Sequence, residues 1–102
     1  MNKENGHKET DKLKVELINL GTVNQNQVKL IKGNKEINLY FSYKTLVGVN
    51  QYASVNNWST TTGKLLNKIE PDHKARIEHI EVLKKADELI KLVVEWKRHI
   101  KN

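Results

Sequence analysis

From residue 13 the chain begins to alternate. Leu13, Val15 and Leu17 are apolar, Lys14 and Glu16 between them are charged, and Gly21 closes the run. That is the period of a strand with one buried face. Asn24, Gln25, Asn26 and Gln27 read as a loop, Val28 and Leu30 flank Lys29, and Lys32-Gly33-Asn34-Lys35 supplies a turn whose central pair tolerates positive φ. The clearest strand follows. Ile37, Leu39, Phe41 and Tyr43 fall on one face, and Asn38, Tyr40 and Ser42 on the other. The alternation assigns Phe41 and Tyr43 to the core and Tyr40 to the outer face. Two further β-rich stretches run from Thr45 to Val49 and from Tyr52 to Val55. The sum is an antiparallel meander of four to five strands over 13–58.

The period changes after Trp58. Leu65, Leu66 and Ile69 fit a short helix over 61–69, with a hydroxyl residue of the preceding Ser59-Thr60-Thr61-Thr62 run as N-cap. Glu70-Pro71-Asp72 breaks it, and Pro71 or Asp72 is placed to open the next helix. Ala75, His79, Val82, Ala86, Leu89, Val93, Trp96 and Ile100 then recur every three or four residues, while charged pairs occupy the opposite face. This predicts a long helix over 72–100 that packs on the sheet. About 28 residues would span roughly 42 Å, against a radius of gyration near 13 Å for a domain of this size. The helix is therefore expected to overhang its sheet and to pair with a second copy through Leu89, Val93, Trp96 and Ile100.

Composition narrows the class. Residues 1–12 contain no apolar residue after Met1 and read as a disordered arm, leaving 13–102 as a single α+β domain. The absence of cysteine excludes disulfides, thiol catalysis and cysteine-based metal sites. No apolar run can span a bilayer, and the polar start of the chain has no secretory h-region, so no membrane contact is expected.

The net charge of +6 is concentrated. Residues 1–12 balance at zero, and residues 70–102 carry eight basic against seven acidic side chains. Residues 13–69 carry seven lysines against Glu16 and Glu36, or +5. That segment is the candidate contact for something anionic. Lysine outnumbers arginine 16 to 2, which favours backbone contact over base readout. The candidates for phosphate are Lys29, Lys32, Lys35, Lys44 and Lys64. Tyr40 either stacks a base from the lysine-rich face or belongs to a second hydrophobic layer.

Catalytic chemistry is sparse. The sheet segment has two glutamates and no histidine, so no acid–base pair is expected. His73 with His79, and Glu95 with His99, lack a third convergent ligand; neither a metal nor a cofactor is expected. Thr61-Thr62-Gly63-Lys64 resembles a phosphate loop superficially, but Leu65 follows the lysine where a hydroxyl is required, and the glycine-rich loop is missing. Two readings stay open for it. Thr61, Thr62 and Lys64 hold one phosphate at a helix start, or they cap the helix.

Two blocks carry a family resemblance: Tyr40-Phe41-Ser42-Tyr43-Lys44-Thr45-Leu46-Val47, and Asn57-Trp58-Ser59-Thr60-Thr61-Thr62-Gly63-Lys64-Leu65-Leu66-Asn67. Together they resemble a family of small uncharacterised bacteriophage and prophage proteins. The sequence departs from that pattern at Leu65, where the family shows histidine. The resemblance implies an origin in a mobile element and a place in the cytoplasm of a bacterial host, and it carries no activity over. The expected function is a non-enzymatic, phage-type nucleic-acid-binding protein, weakly sequence-specific and directed at single strands. The alternative is a counter-defence or host-takeover inhibitor that acts by binding a host protein.

Overall fold

A computed structural model of the protein describes residues 12–94. Residues 1–11 of the expected arm and 95–102 of the expected long helix, Trp96 and Ile100 included, lie outside the described residues. The architecture is α+β. Strands β1 (Leu13–Asn19), β2 (Gln25–Lys32), β3 (Lys35–Ser42), β4 (Thr45–Val49) and β5 (Tyr52–Ala53) form one antiparallel sheet in the order β1-β2-β3-β4-β5. Helix α1 (Thr60–Ile69), a 3₁₀ turn (His73–Ala75) and the longer helix α2 (His79–Val94) follow.

Three two-residue hairpins set the register, with Lys32 opposite Lys35, Ser42 opposite Thr45 and Val49 opposite Tyr52. In each, the first turn residue has positive φ: 63° at Gly33, 59° at Tyr43 and 53° at Asn50. This placement lets the turn follow the right-handed twist of its strands. It also corrects the expectation for Tyr43. The strand ends at Ser42, so Tyr43 opens a turn and is 59% exposed, while Phe41 packs against the core. The Asn/Gln run is likewise strand from Gln25 onward, because its amides find partners. Buried Gln25 donates from Nε2 to the Thr61 carbonyl at 3.0 Å, and Gln27 donates to Asn38 Oδ1 at 2.8 Å.

Helices cover both faces of the sheet. On one, Ile37, Leu39 and Val49 pack with Val82, Ala86 and Val93 of α2. On the other, Val47 and Ala53 pack with Leu65 and Leu66 of α1, joined by Ile69, Leu20 and Tyr40. Tyr40 is therefore not an exposed platform. It is half-buried in the second hydrophobic layer, because α1 takes the face that its alternation assigned to solvent.

The chain crosses between faces by wrapping the β5 edge. Ile77 N–H donates to the Ala53 carbonyl at 3.0 Å and Val55 N–H to the Ile77 carbonyl at 2.8 Å, a parallel bridge between Ser54 and Ile77. This wrap moves the helix start expected at 72 to His79. Asp72 accepts from Lys74 N–H at 2.9 Å to cap the 3₁₀ turn, which takes Ala75 out of the helical stripe, and Ile77 must be extended to meet the sheet. His79 then anchors α2, donating from Nε2 to the Leu46 carbonyl at 2.9 Å, with the Trp58 ring edge-on at 5.1 Å. At the other end Lys32 Nζ donates to the Val93 carbonyl at 3.1 Å.

The described helix, 16 residues or about 24 Å, thus lies on the sheet. Val93 is only 3% exposed and belongs to its own core, so it is not free to form the dimer interface expected of it, and Leu89 packs partly against the same core. Lys85 sits 4.3 Å above the Tyr52 ring of β5.

Gly48 on β4 faces α1 closely. A Cβ there would meet Ile69 Cδ1 at 2.8 Å and the Tyr52 carbonyl oxygen at 3.1 Å. Gly48→Ala is expected to cost about 1–3 kcal/mol through overpacking. Combined with Ile69→Val, which removes Cδ1, the loss should be smaller than the sum of the two single losses. Urea unfolding of the four proteins checks this; strict additivity would contradict the close approach.

Candidate functional site

Helix α1 begins where two loops need an anchor. Ser59 is the N-cap in extended backbone, and its Oγ accepts from Thr62 N–H at 3.2 Å. The Thr62 side chain points inward, 2% exposed, and its Oγ1 lies 2.8 Å from Ser42 Oγ on β3. Ser59 Oγ donates to the same oxygen at 3.3 Å. The three hydroxyls form a closed network in which every buried polar side-chain atom has a partner. Thr62 therefore locks the capped helix to β3, its hydroxyl buried against Ser42 and Ser59. Thr61 lies exposed beside it, and its carbonyl is taken by Gln25.

The Ser42–Thr62 bond joins the strand that ends at Tyr43-Lys44 to the Thr-Thr-Thr-Gly-Lys run. Tyr43, exposed, and Lys44 follow Ser42 in the turn and line an open pocket with Val23, Asn24 and Thr45. Tyr43 N–H is bonded to the Asn24 carbonyl, which fixes the turn.

A second cleft, of about 670 Å³, opens along the outer side of α1 and is lined by Asn56, Thr60, Gly63, Lys64, Asn67, His73 and Arg76, with Val55. Asn56 shapes its wall, donating to the Ser59 carbonyl at 2.9 Å and accepting from Trp58 N–H at 2.9 Å. Gly63 leaves the room Asn56 needs, since a Cβ there would lie 2.9 Å from Asn56 Nδ2. Arg76 is held by two acceptors, the Glu70 carbonyl at 3.1 Å from Nε and the Asn67 side-chain oxygen from Nη2. Its remaining N–H groups are left for a ligand. Lys64 makes no ion pair among the described residues. No carboxylate lines the cleft. The neighbouring acids are turned to the backbone, Glu70 accepting from Asp72 N–H at 3.1 Å and Asp72 from Lys74 N–H.

The remaining lysines do not join this surface. Lys29 and Lys32 are three apart on β2 and so point to opposite faces; Lys29 lies 3.8 Å from Glu36, and Lys32 reaches α2. Lys35 stands at the β2–β3 turn and Lys44 at the β3–β4 turn, at opposite ends of β3. The +5 of residues 13–69 is divided by the pleat and does not form a stripe.

Asn56, Asn67, His73 and Arg76 were not among the sequence candidates. The available signal was weak: Glu70 and Asp72 flank Pro71 at positions suited to bonding nearby backbone N–H groups. No group of three or more histidine or acidic residues among the described residues could hold a metal. No described helix is long and apolar enough to cross a membrane.

The profile of a family of unknown function, DUF8033, matches residues 5–85, more than half of the chain. The chain belongs to that family. No curated protein and no solved structure matches it. The DUF8033 match takes in all five strands, α1, the cleft and the 3₁₀ turn, and ends within α2.

Thr62→Val keeps the shape but leaves the Ser42 hydroxyl buried without that partner. It is expected to lower stability by about 1–3 kcal/mol. Ser42→Ala with Thr62→Val removes both ends of the bond, so the pair should cost less than the two single losses added. Denaturant midpoints measure this. A Thr62→Val protein as stable as the parent would show that the hydroxyl is not structural.

Proposed function

We propose that this DUF8033 protein is a non-enzymatic binder of nucleic-acid backbone, directed at single strands and weakly specific for sequence. The observation that carries the reading is the cleft beside α1. Lys64, His73 and Arg76 line it together with the amides of Asn56 and Asn67, and no carboxylate does. A phosphate entering there meets a positive field and several N–H donors. The exposed Tyr43 beside Lys44, near the start of the same helix, supplies a ring for a base to stack on, in the role first assigned to Tyr40. Lysine as the main cation suits contact with phosphate as point charges. The mobile-element origin implied by the sequence resemblance belongs to this proposal, with the cytoplasm of a bacterial host as its setting.

Anisotropy of a labelled single-stranded oligonucleotide tests the reading. Binding should be detectable at about 50 mM salt and fall steeply as salt rises. Lys64→Gln should weaken it several-fold and flatten the plot of log affinity against log salt by roughly 0.7, the loss of one phosphate contact. Tyr43→Ala should cost about 1–3 kcal/mol if one base stacks on the ring. Lys35→Gln, at the far end of the sheet, should change neither the site nor the slope by more than a nonspecific charge would. No binding at low salt, or equal losses from Lys64→Gln and Lys35→Gln, overturns the assignment.

A further inference from the structure

The two edges of the sheet are treated differently. The β5 edge is two residues long and is taken up by the bridge from Ser54 to Ile77. The β1 edge runs for seven residues with no strand beside it among the described residues. Such an edge presents a row of unpaired backbone donors and acceptors. Its side chains are unusual for a strand left to solvent. Leu13, Val15 and Leu17 are 43%, 57% and 78% exposed. They lie on the face that α2 covers further along, since they stand opposite Lys32, Leu30 and Val28, of which Leu30 and Val28 pack against the α2-side core. Among the described residues, the apolar layer therefore runs past the cover of α2 to an edge with no strand beside it.

We propose that a second copy of this chain occupies that edge. The two β1 strands pair antiparallel about a two-fold axis at Val15, making one ten-stranded sheet. The register follows from charge. Antiparallel partners share a face, so a symmetric pairing must centre on one residue and place residues of the same parity opposite each other. Centred on Val15, it puts Val15 against its copy, Leu13 against the copy of Leu17, and Lys14 against the copy of Glu16, twice over. Centred on Lys14 or on Glu16, it sets like charge directly against like, which is destabilising. Neither Lys14 nor Glu16 has an ion-pair partner within its own chain among the described residues. A lysine on an edge strand ordinarily repels such pairing. Here a glutamate two residues away converts the same lysine into a register key. The surface is distinct from the one expected on α2, whose Val93 is buried in the core.

Charge reversal tests the proposal at two exposed side chains; because Glu16 stands opposite Lys29 on β2, far-UV circular dichroism and urea unfolding verify that each variant, E16K above all, is folded. Sedimentation velocity across a dilution series should show the parent as a reversible dimer. K14E sets negative charge against negative across both cross-strand pairs, and E16K sets positive against positive. Each is expected to weaken dimerisation by about tenfold or more. The double variant K14E/E16K restores opposite charges in the same register and should recover the parental dissociation constant to within about threefold. A parent that stays monomeric, as it would if residues 95–102 of its own chain covered the Leu13–Leu17 row, overturns the proposal. A dimer that ignores both single reversals, as one built through α2 would, also overturns it, and so does a double variant no better than the singles.

Discussion

Val47 and Val49 stand two residues apart on β4, both are completely buried, and they are buried against different helices. In a regular strand such a pair shares one face. The register shift between Tyr40 and Phe41 removes that constraint: Phe41 pairs with Leu46 and Tyr40 with Gly48, so Val47 is an extra residue. Val47 and Gly48 both turn toward α1, and Leu46 and Val49 toward α2. The bulge makes β4 the element that carries apolar contacts for two helices, and the rest of the architecture depends on it. Glycine at position 48 is part of the same solution, because the second residue of the bulge must let Ile69 approach within the radius of a methyl group.

Covering both faces from one end of a meander has a topological consequence. α1 and α2 are consecutive, so the chain between them must pass around the edge of the sheet. It passes round β5, fixed by Ile77, and the passage carries His73 and Arg76 back alongside α1. The candidate cleft is thus a by-product of the crossing: one wall is the helix that covers the sheet, and the other is the segment that leaves it. Among the described residues, no helix covers β1. The described part of α2, anchored at Leu46 and held to Lys32 at Val93, runs diagonally across the sheet to β2.

Much of this is legible in the chain. Alternation and turn residues locate the strands, because glycine and asparagine sit where the hairpins need positive φ, and the Ser/Thr run marks the start of α1. The failures share a cause. Each concerns which of two faces a residue will meet, and strand periodicity reports a face without saying what covers it. Tyr40 goes to solvent only if the sheet has a single layer. Tyr43 goes to the core because nothing local shows that a tyrosine will take φ of 59° in a turn. The start of α2 falls too early because the helical period of Ala75 is real as a pattern, but Ile77 has a sheet bond to make that outweighs it. The cleft draws Asn56, Asn67, His73 and Arg76 from both sides of a break that sequence treats as a boundary.

The charge distribution illustrates the limit most directly. A segment with +5 invites the picture of a basic surface, yet lysines on a sheet are sorted by parity before they are sorted by sequence. The odd spacing of Lys29 and Lys32 sends them to opposite faces, and the length of β3 separates Lys35 from Lys44. Lys64 and Arg76 come together instead where a helix and a chain crossing meet. The Glu70 and Asp72 carboxylates bond backbone N–H groups at the crossing, and neither lines the cleft with Lys64, His73 and Arg76. In a domain this small, the capping demands of short helices decide the local field as much as the count of charges does.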